Sequence, residues 1–251
     1  MASLRKTDTC FQGNHDRPAE AEKIMFDHQD LIALQLTLKL AVVTTVILVI
    51  LGTPLAWWLA NTKRRVKLLI EPVVALPLIL PPTVMGFYLL IVFAPDSPVG
   101  AFWVQLTGSP LAFTFSALVM GSVLYSLPFF TQPLQIAFEN LGAGVLEAAA
   151  TMGAKPLDRF FTIAVPLCRR GFITSASLSF AHTVGEFGIV LMIGGNIPGE
   201  TRVLSIALYD HVETLQYTEA HWLAGGLLLF SFLMLLVVYG ANRSFQMRYS
   251  F

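Results

Sequence analysis

Residues 146–167 read LEAAATMGAKPLDRFFTIAVPL. The alanine-rich segment Val145–Met152 has high intrinsic helix propensity. Gly153 stands where a helix can end on a left-handed residue, a conformation that glycine enters without a Cβ clash. Pro156 opens a second segment, Pro156–Phe161, because the first turn of a helix needs no N–H from it. Phe160, Phe161 and Ile163 then return the chain to apolar surroundings. The stretch therefore predicts a helix–turn–helix elbow. Alone, it is either a docking site that another protein approaches closely or a connector between two larger elements.

Those larger elements lie on both sides. Five apolar runs are long enough to cross a hydrocarbon core of about 30 Å: 36–60, 68–93, 111–138, 172–193 and 222–241. The composition agrees. The chain of 251 residues is 55% hydrophobic, only 13% charged, and has a mean hydropathy of +0.67. Soluble domains carry about 25% charged residues, so an ordinary cytosolic protein is excluded. The fold class is an all-α polytopic membrane protein. The elbow falls in the connection 139–171, and no second soluble domain or internal repeat is evident.

Basic residues sort the connections. Lys63, Arg64, Arg65 and Lys67 follow the first run, Lys155, Arg159, Arg169 and Arg170 lie in the third connection, and Arg243 and Arg248 follow the last run. The two opposing connections carry Arg202 alone. The positive-inside rule puts the elbow and the C-terminus in the cytoplasm and the N-terminus outside. Arg5, Lys6, Arg17 and Lys23 disagree with that arrangement. Either ten opposing charges outweigh them, or translation begins at Met25, the slightly favoured reading. Residues 1–30 are read as a polar, disordered tail without a signal peptide, and 246–251 as a short cytoplasmic tail. Cys10 and Cys168 are read as free thiols.

Three features inside the runs are candidates for function. Pro77, Pro81 and Pro82 interrupt the second run and predict a kinked helix, either lining a path that bends as a gate opens or serving as a static packing kink. His182 and Glu186 stand four apart in the fourth run, which predicts a shared helix face. They form either a gate pair or an intrahelical hydrogen bond, and Gly185 and Gly188 beside them permit close helix approach. In the third run Pro128 and Pro133 predict a kink, with Thr131, Gln132 and Gln135 as interhelical packing groups.

Glu147, Ala148, Ala149, Gly153, Ile163 and Pro166 also match a known spacing, E-A-A-x3-G-x9-I-x-L-P, with Val165 in place of the usual leucine. The loop thus resembles the EAA loop of ABC-importer permeases. LPLILPPTVMGFYLL in the second run, GEFG at 185–188 and GNIPGETR at 195–202 are similar to segments of the molybdate permease subunits, the ModB type, within the molybdate, tungstate and sulfate group. The similarity covers about residues 30–245. It implies a type I importer permease fold of five transmembrane helices, with an ABC permease domain over 31–245 in the bacterial inner membrane.

The resemblance also implies partners: a second copy of the chain, two cytoplasmic ABC ATPase subunits and a periplasmic molybdate-binding protein, besides membrane lipid. Glu147 would contact the ATPase subunit and Gly153 would make the turn. Pro77, Pro81, Pro82, His182, Gly185, Glu186 and Gly188 would line or gate the path. Asn196, Glu200 and Arg202 would face the binding protein. No G-x4-G-K-[ST] loop occurs, so ATP and Mg are expected on the partner ATPase, with no cofactor, metal or catalytic residue in this chain. Scattered histidines argue against a membrane-embedded metalloenzyme, and nothing suggests nucleic-acid binding. A stand-alone channel or secondary transporter would need no elbow, and sulfate is the alternative substrate.

Overall fold

The computed structural model describes residues 28–62 and 64–246, and every regular element among them is helical. The chain runs through α1 (His28–Asn61), α2 (Lys67–Ile79), α3 (Pro82–Phe93), α4 (Pro98–Thr107), α5 (Phe115–Leu141) and α6 (Ala143–Thr151). It continues through α7 (Pro156–Asp158), a π-helical turn at Arg159–Ala164, α8 (Val165–Leu167), α9 (Arg169–Gly185), α10 (Gly188–Gly194), α11 (Leu204–Glu213) and α12 (Tyr217–Gln246). By length and composition α1, α5 and residues 217–236 of α12 can each cross a membrane. Counted as one span each, the bent pairs α2–α3 and α9–α10 bring the total to the five expected from the sequence.

The first span departs from expectation at its start. Residues 28–30 belong to α1 and not to a disordered tail. Tertiary partners explain this: Asp30 is buried against His211 of α11, and the Thr37 hydroxyl accepts the Leu204 N–H at 2.8 Å. The remaining expectations for the tail, including Cys10 and Met25, and those for residues 247–251, including Arg248, lie outside the described residues.

The second span is not one kinked helix. α2 and α3 meet at 112°. Leu80 and Pro81 each precede a proline, which disfavours the helical region. Both are extended, with ψ of 135° and 136°. Pro77 is tolerated inside α2, and Pro128 and Pro133 inside an unbroken α5. The fourth span breaks too, by 60° between α9 and α10. Glu186 is extended (φ −69°, ψ 131°) and lies beyond the end of α9. His182 and Glu186 consequently do not share a helix face.

The two breaks meet. α3 packs on α10, and a Cβ on Gly188 would stand 2.6 Å from the Pro82 Cβ. Around this contact α1, α5 and α9 form the centre of the bundle. Leu40, Phe93, Leu118, Ile189, Ile193 and Ile206 fill one end of the core. Leu48, Ala56, Phe130, Leu134, Phe138 and Ala164 fill the other, beneath the elbow. Most of the apolar surface of α12 stays outside the bundle, as hydrocarbon surroundings allow.

Candidate functional site

The first half of the elbow has the predicted form. In α6, Glu147 and Ala148 are exposed while Ala149 is buried. Gly153 adopts φ +88°. The Ala154 N–H reaches the Ala149 carbonyl and the Gly153 N–H the Ala150 carbonyl, each at 3.0 Å. This paired closure of a helix end is the Schellman arrangement, which requires the left-handed residue at Gly153. The second segment is a π turn and not a regular helix through Phe161. The Arg159 guanidinium donates to the Leu146 carbonyl and ties that turn to α6. Phe160 sets its ring edge-on to Trp57 of α1 at 5.1 Å, and Trp57 contacts Phe138 of α5 at 5.0 Å. Ile163 is half-buried and Pro166 exposed. The elbow is therefore anchored to the bundle at its base and open at Glu147, Ala148 and Met152.

The broken spans border a cavity of about 560 Å³. Pro82 and Thr83 line it from α3, Tyr125 from α5, His182 and Glu186 from the fourth span, and Met192 from α10. The structure thus brings His182, Gly185, Glu186, Gly188 and Pro82 to one place, while Pro77 and Pro81 are absent from that lining. Of the two alternatives read from the sequence, the intrahelical His182–Glu186 hydrogen bond is absent among the described residues. The Glu186 carboxylate instead accepts the Ile189 N–H at 3.1 Å, and Ser205 of α11 donates to the Glu186 carbonyl at 2.5 Å. The expected close approach holds at Gly188 but not at Gly185, where an added Cβ would meet nothing within 4 Å.

His182 is held from three sides. Its ring stacks on Phe129 with centroids 3.9 Å apart and lies 4.9 Å from Tyr125. Its Nδ1 is 3.0 Å from the Ser126 hydroxyl, which is 3.1 Å from the Thr183 hydroxyl. Thr183 donates to the Ser179 carbonyl at 2.9 Å. Sequence spacing pointed to His182 but not to these partners, because Tyr125, Ser126 and Phe129 come from α5.

At the other end of the fourth span the GNIPGETR loop closes on itself. The Thr201 hydroxyl is buried and donates to the Gly194 carbonyl, and the Ile197 carbonyl accepts the N–H groups of Glu200, Thr201 and Arg202. Asp210 of α11 accepts from Arg202 Nη2 at 2.6 Å and from Asn196 Nδ2 at 3.3 Å. Arg202 is largely buried in this ion pair and holds the loop in shape, while Glu200 and Asn196 are exposed. Below α2, Gln135 makes the expected interhelical bond, donating to Glu71 at 2.7 Å, and Lys67 bridges Glu71 and Glu139. Thr131 instead bonds within its own helix, to Leu127. Among the described residues no group of three or more His, Cys, Asp or Glu is arranged to hold a metal ion.

Comparison with known proteins completes the description. Residues 52–250 match the family model described as "Binding-protein-dependent transport system inner membrane component". The "Molybdenum transport system permease protein ModB" of Azotobacter vinelandii is 58% identical over 214 residues, covering 85% of this chain and 95% of that protein. The Haemophilus influenzae protein of the same name is 32% identical over 185 residues, covering 74% of this chain and 81% of its own. Among solved structures, the "Crystal structure of bacterial alginate ABC transporter in complex with alginate pentasaccharide-bound periplasmic protein" contains a chain with the same fold. Its TM-score is 0.70 at 13% identity, over 87% of this chain and 80% of that one.

Proposed function

Because the chain belongs to the family of binding-protein-dependent transport system inner membrane components, we propose that it is the permease subunit through which an ABC importer carries molybdate across the bacterial inner membrane. The observation that carries the importer reading is the elbow. A rigid, anchored turn that leaves Glu147 and Ala148 exposed is suited to receive motion from a cytoplasmic partner. The substrate class rests on the 58% identity to a molybdenum transport permease. Tungstate, a near-identical tetrahedral dianion, would follow the same path.

In this reading two ABC ATPase subunits grip Glu147, Ala148 and Ala149 from the cytoplasm, with Gly153, Ile163 and Pro166 shaping the loop. ATP and Mg are held by those subunits, so hydrolysis is their work and this chain is not itself an enzyme. The connections after the first and third runs and the C-terminus face the cytoplasm, in line with the positive-inside rule. Two copies enclose the path, and a periplasmic molybdate-binding protein docks over Asn196 and Glu200. ATP-driven closure of the ATPase pair pulls on the elbow. The bundle then rocks between outward-open and inward-open states, a rigid-body change of the kind that packed helices support.

Reconstitution tests this. The chain is placed in liposomes with its ATPase and binding protein, and ATP-dependent molybdate uptake is followed against a sulfate control. Molybdate uptake that needs all three components supports the reading. Uptake by the chain alone without ATP overturns the importer, and preference for sulfate overturns the substrate.

A further inference from the structure

The hydroxyl chain beside the cavity favours a proton on Nδ1 of His182. Thr183 spends its hydroxyl proton on the Ser179 carbonyl, an obligate acceptor. With that 2.9 Å bond in place the Ser126 hydroxyl donates to Thr183, which has no second proton to give. Ser126 is left with lone pairs for His182, so Nδ1–H of His182 is the donor. Every proton and acceptor in the series His182, Ser126, Thr183, Ser179 is then satisfied, as buried polar groups require. In the neutral imidazole the proton sits on Nδ1, and Nε2 bears a lone pair. Nε2 has no partner among the described residues, and the side chain lines the cavity.

A bare lone pair repels an oxyanion, and so does the Glu186 carboxylate on the same wall. That carboxylate is engaged with the Ile189 N–H. Tyr125 is the other titratable group on the wall, and the rest of the lining from α3 and α10 cannot titrate. Elsewhere on the helices that pack against α9, Asp30 is paired with His211, Lys39 lies over the Phe115 ring, and Glu219 and His221 sit near the start of α12. His182 is thus the one group on this wall that can become positive. A cation there would lie over the Phe129 ring with Tyr125 nearby, a favourable placement for positive charge.

We propose, resting on the reading of the chain as a molybdate permease, that His182 contacts the tetrahedral dianion in the cavity through Nε2, and that a proton joins Nε2 as the anion enters. The empty cavity holds neutral imidazole, and the occupied cavity holds imidazolium donating from Nε2 to an anion oxygen. The proton comes from solvent with the anion and returns to solvent as the anion leaves. Each ligand favours the other by the same factor. The site therefore releases its cargo as readily as it loses the proton, which suits a path where binding must stay weak enough for exit.

The test uses two isosteric changes in the full complex in liposomes. The amide of asparagine can replace the Nδ1 donor to Ser126, and the amide of glutamine can replace a donor at Nε2. Maximal molybdate uptake is measured against pH at saturating loaded binding protein, together with the half-saturating concentration of that protein. Wild type should slow as pH rises, because fewer cavities can take up the proton with the anion. His182→Asn should lose about tenfold in maximal rate with the half-saturating concentration unchanged. His182→Gln should recover part of that loss, and both variants should be flat with pH. Full activity in His182→Asn with loss in His182→Gln would assign the imidazole to holding Ser126 alone and overturn the proposal. A wild-type pH slope that persists in both variants would overturn it as well. Absence of molybdate uptake in the wild-type complex would sink the permease reading first, and this inference with it.

Discussion

Asp30 near the start of α1 and His211 on α11 lie in direct contact, with Oδ1 of the first 3.1 Å from Nε2 of the second, and both side chains are buried. Gln216 takes the other side of the ring, 2.7 Å from Nδ1. The pair pins the start of the first span to the helix that also holds Asp210, and so to the loop carrying Asn196 and Arg202. It is a polar clamp in a part of the bundle otherwise closed by Ala33, Leu204, Ala207 and Leu223.

The clamp makes stability depend on pH. Burial works against the His211 proton, and Arg202 opposes it. The bonds to Gln216 and Asp30 and the charge of Asp30 outweigh them, leaving its pKa above the ordinary 6.5. A group whose folded pKa is raised stabilises fully below its unfolded pKa, and that contribution fades as pH climbs through the folded value. Thermal unfolding in detergent should thus show stability falling from about pH 6 upward. His211→Gln should remove that slope. Asp30→Ala should cost about 3 kcal/mol at the acid end, because a buried charge is left without its partner, and less as pH rises. A slope that survives His211→Gln would place the titrating group elsewhere.

The elbow should fail in two separable ways. Gly153 sits at φ +88°, where an added Cβ meets no neighbour but the backbone itself is strained. Gly153→Ala should cost about 1–2 kcal/mol locally. Uptake should fall while the spans still insert, and ATP hydrolysis should lose its response to loaded binding protein. Glu147 is exposed, so Glu147→Lys should leave stability within about 0.5 kcal/mol of wild type while weakening attachment of the ATPase subunits. Copurification of the ATPase with each variant, alongside uptake and hydrolysis, measures both effects. Normal uptake in either variant contradicts the assigned docking role.

What could be read from the sequence divides along physical lines. Gly153 was legible because a helix-ending glycine and the alanine run before it are local signals, and no distant residue is needed to interpret them. The apolar runs were legible for the same reason. α4 was equally local, with Ser97 capping through the Gly100 N–H, Pro98 in the first turn and Gly108 left-handed at its end. It lies between spans and carries no basic residue, so neither the apolar runs nor the charge pattern marks it. The broken spans were only half legible. Prolines announced a disturbance at 77–82, but a turn of 112° depends on two successive pre-proline residues both becoming extended. Nothing local announced the end of α9 before Glu186, so the i, i+4 spacing with His182 misled. The Asp30–His211 and Ser126–His182 pairs join residues far apart in the chain, and no pattern in one sequence marks them.

The meeting of the two breaks predicts a steric dependence. An added methyl on Gly188 would lie 2.6 Å from the Pro82 Cβ. Overpacking of a tight contact costs about 1–3 kcal/mol. Gly188→Ala should therefore lower the melting temperature in detergent and reduce uptake. Pro82→Gly removes the Cβ that the new methyl would meet and frees Leu80–Pro81 from one of its two pre-proline constraints, so alone it should also reduce uptake. If the contact is what matters, the double variant should be less destabilised than the two single effects added, a coupling that a thermodynamic cycle measures directly. Strict additivity would mean that α3 and α10 are positioned independently.

Glu186 separates shape from charge. Its carboxylate accepts the Ile189 N–H in the first turn of α10, and Ser205 clamps its carbonyl from α11. A residue that works by accepting a backbone hydrogen bond is replaceable by glutamine, whose amide oxygen serves the same N–H. Glu186→Gln should hence keep most of the uptake. Glu186→Ala leaves the Ile189 N–H without its acceptor, which costs about 1 kcal/mol for a lost cap and loosens the wall of the cavity, so uptake should fall several-fold. Uptake, thermal stability and the pH profile are measured together on both variants. If glutamine proves as damaging as alanine while the protein remains folded, the negative charge itself is used in transport. Glu186 would then act on the passing anion or its proton and not as a brace for the break.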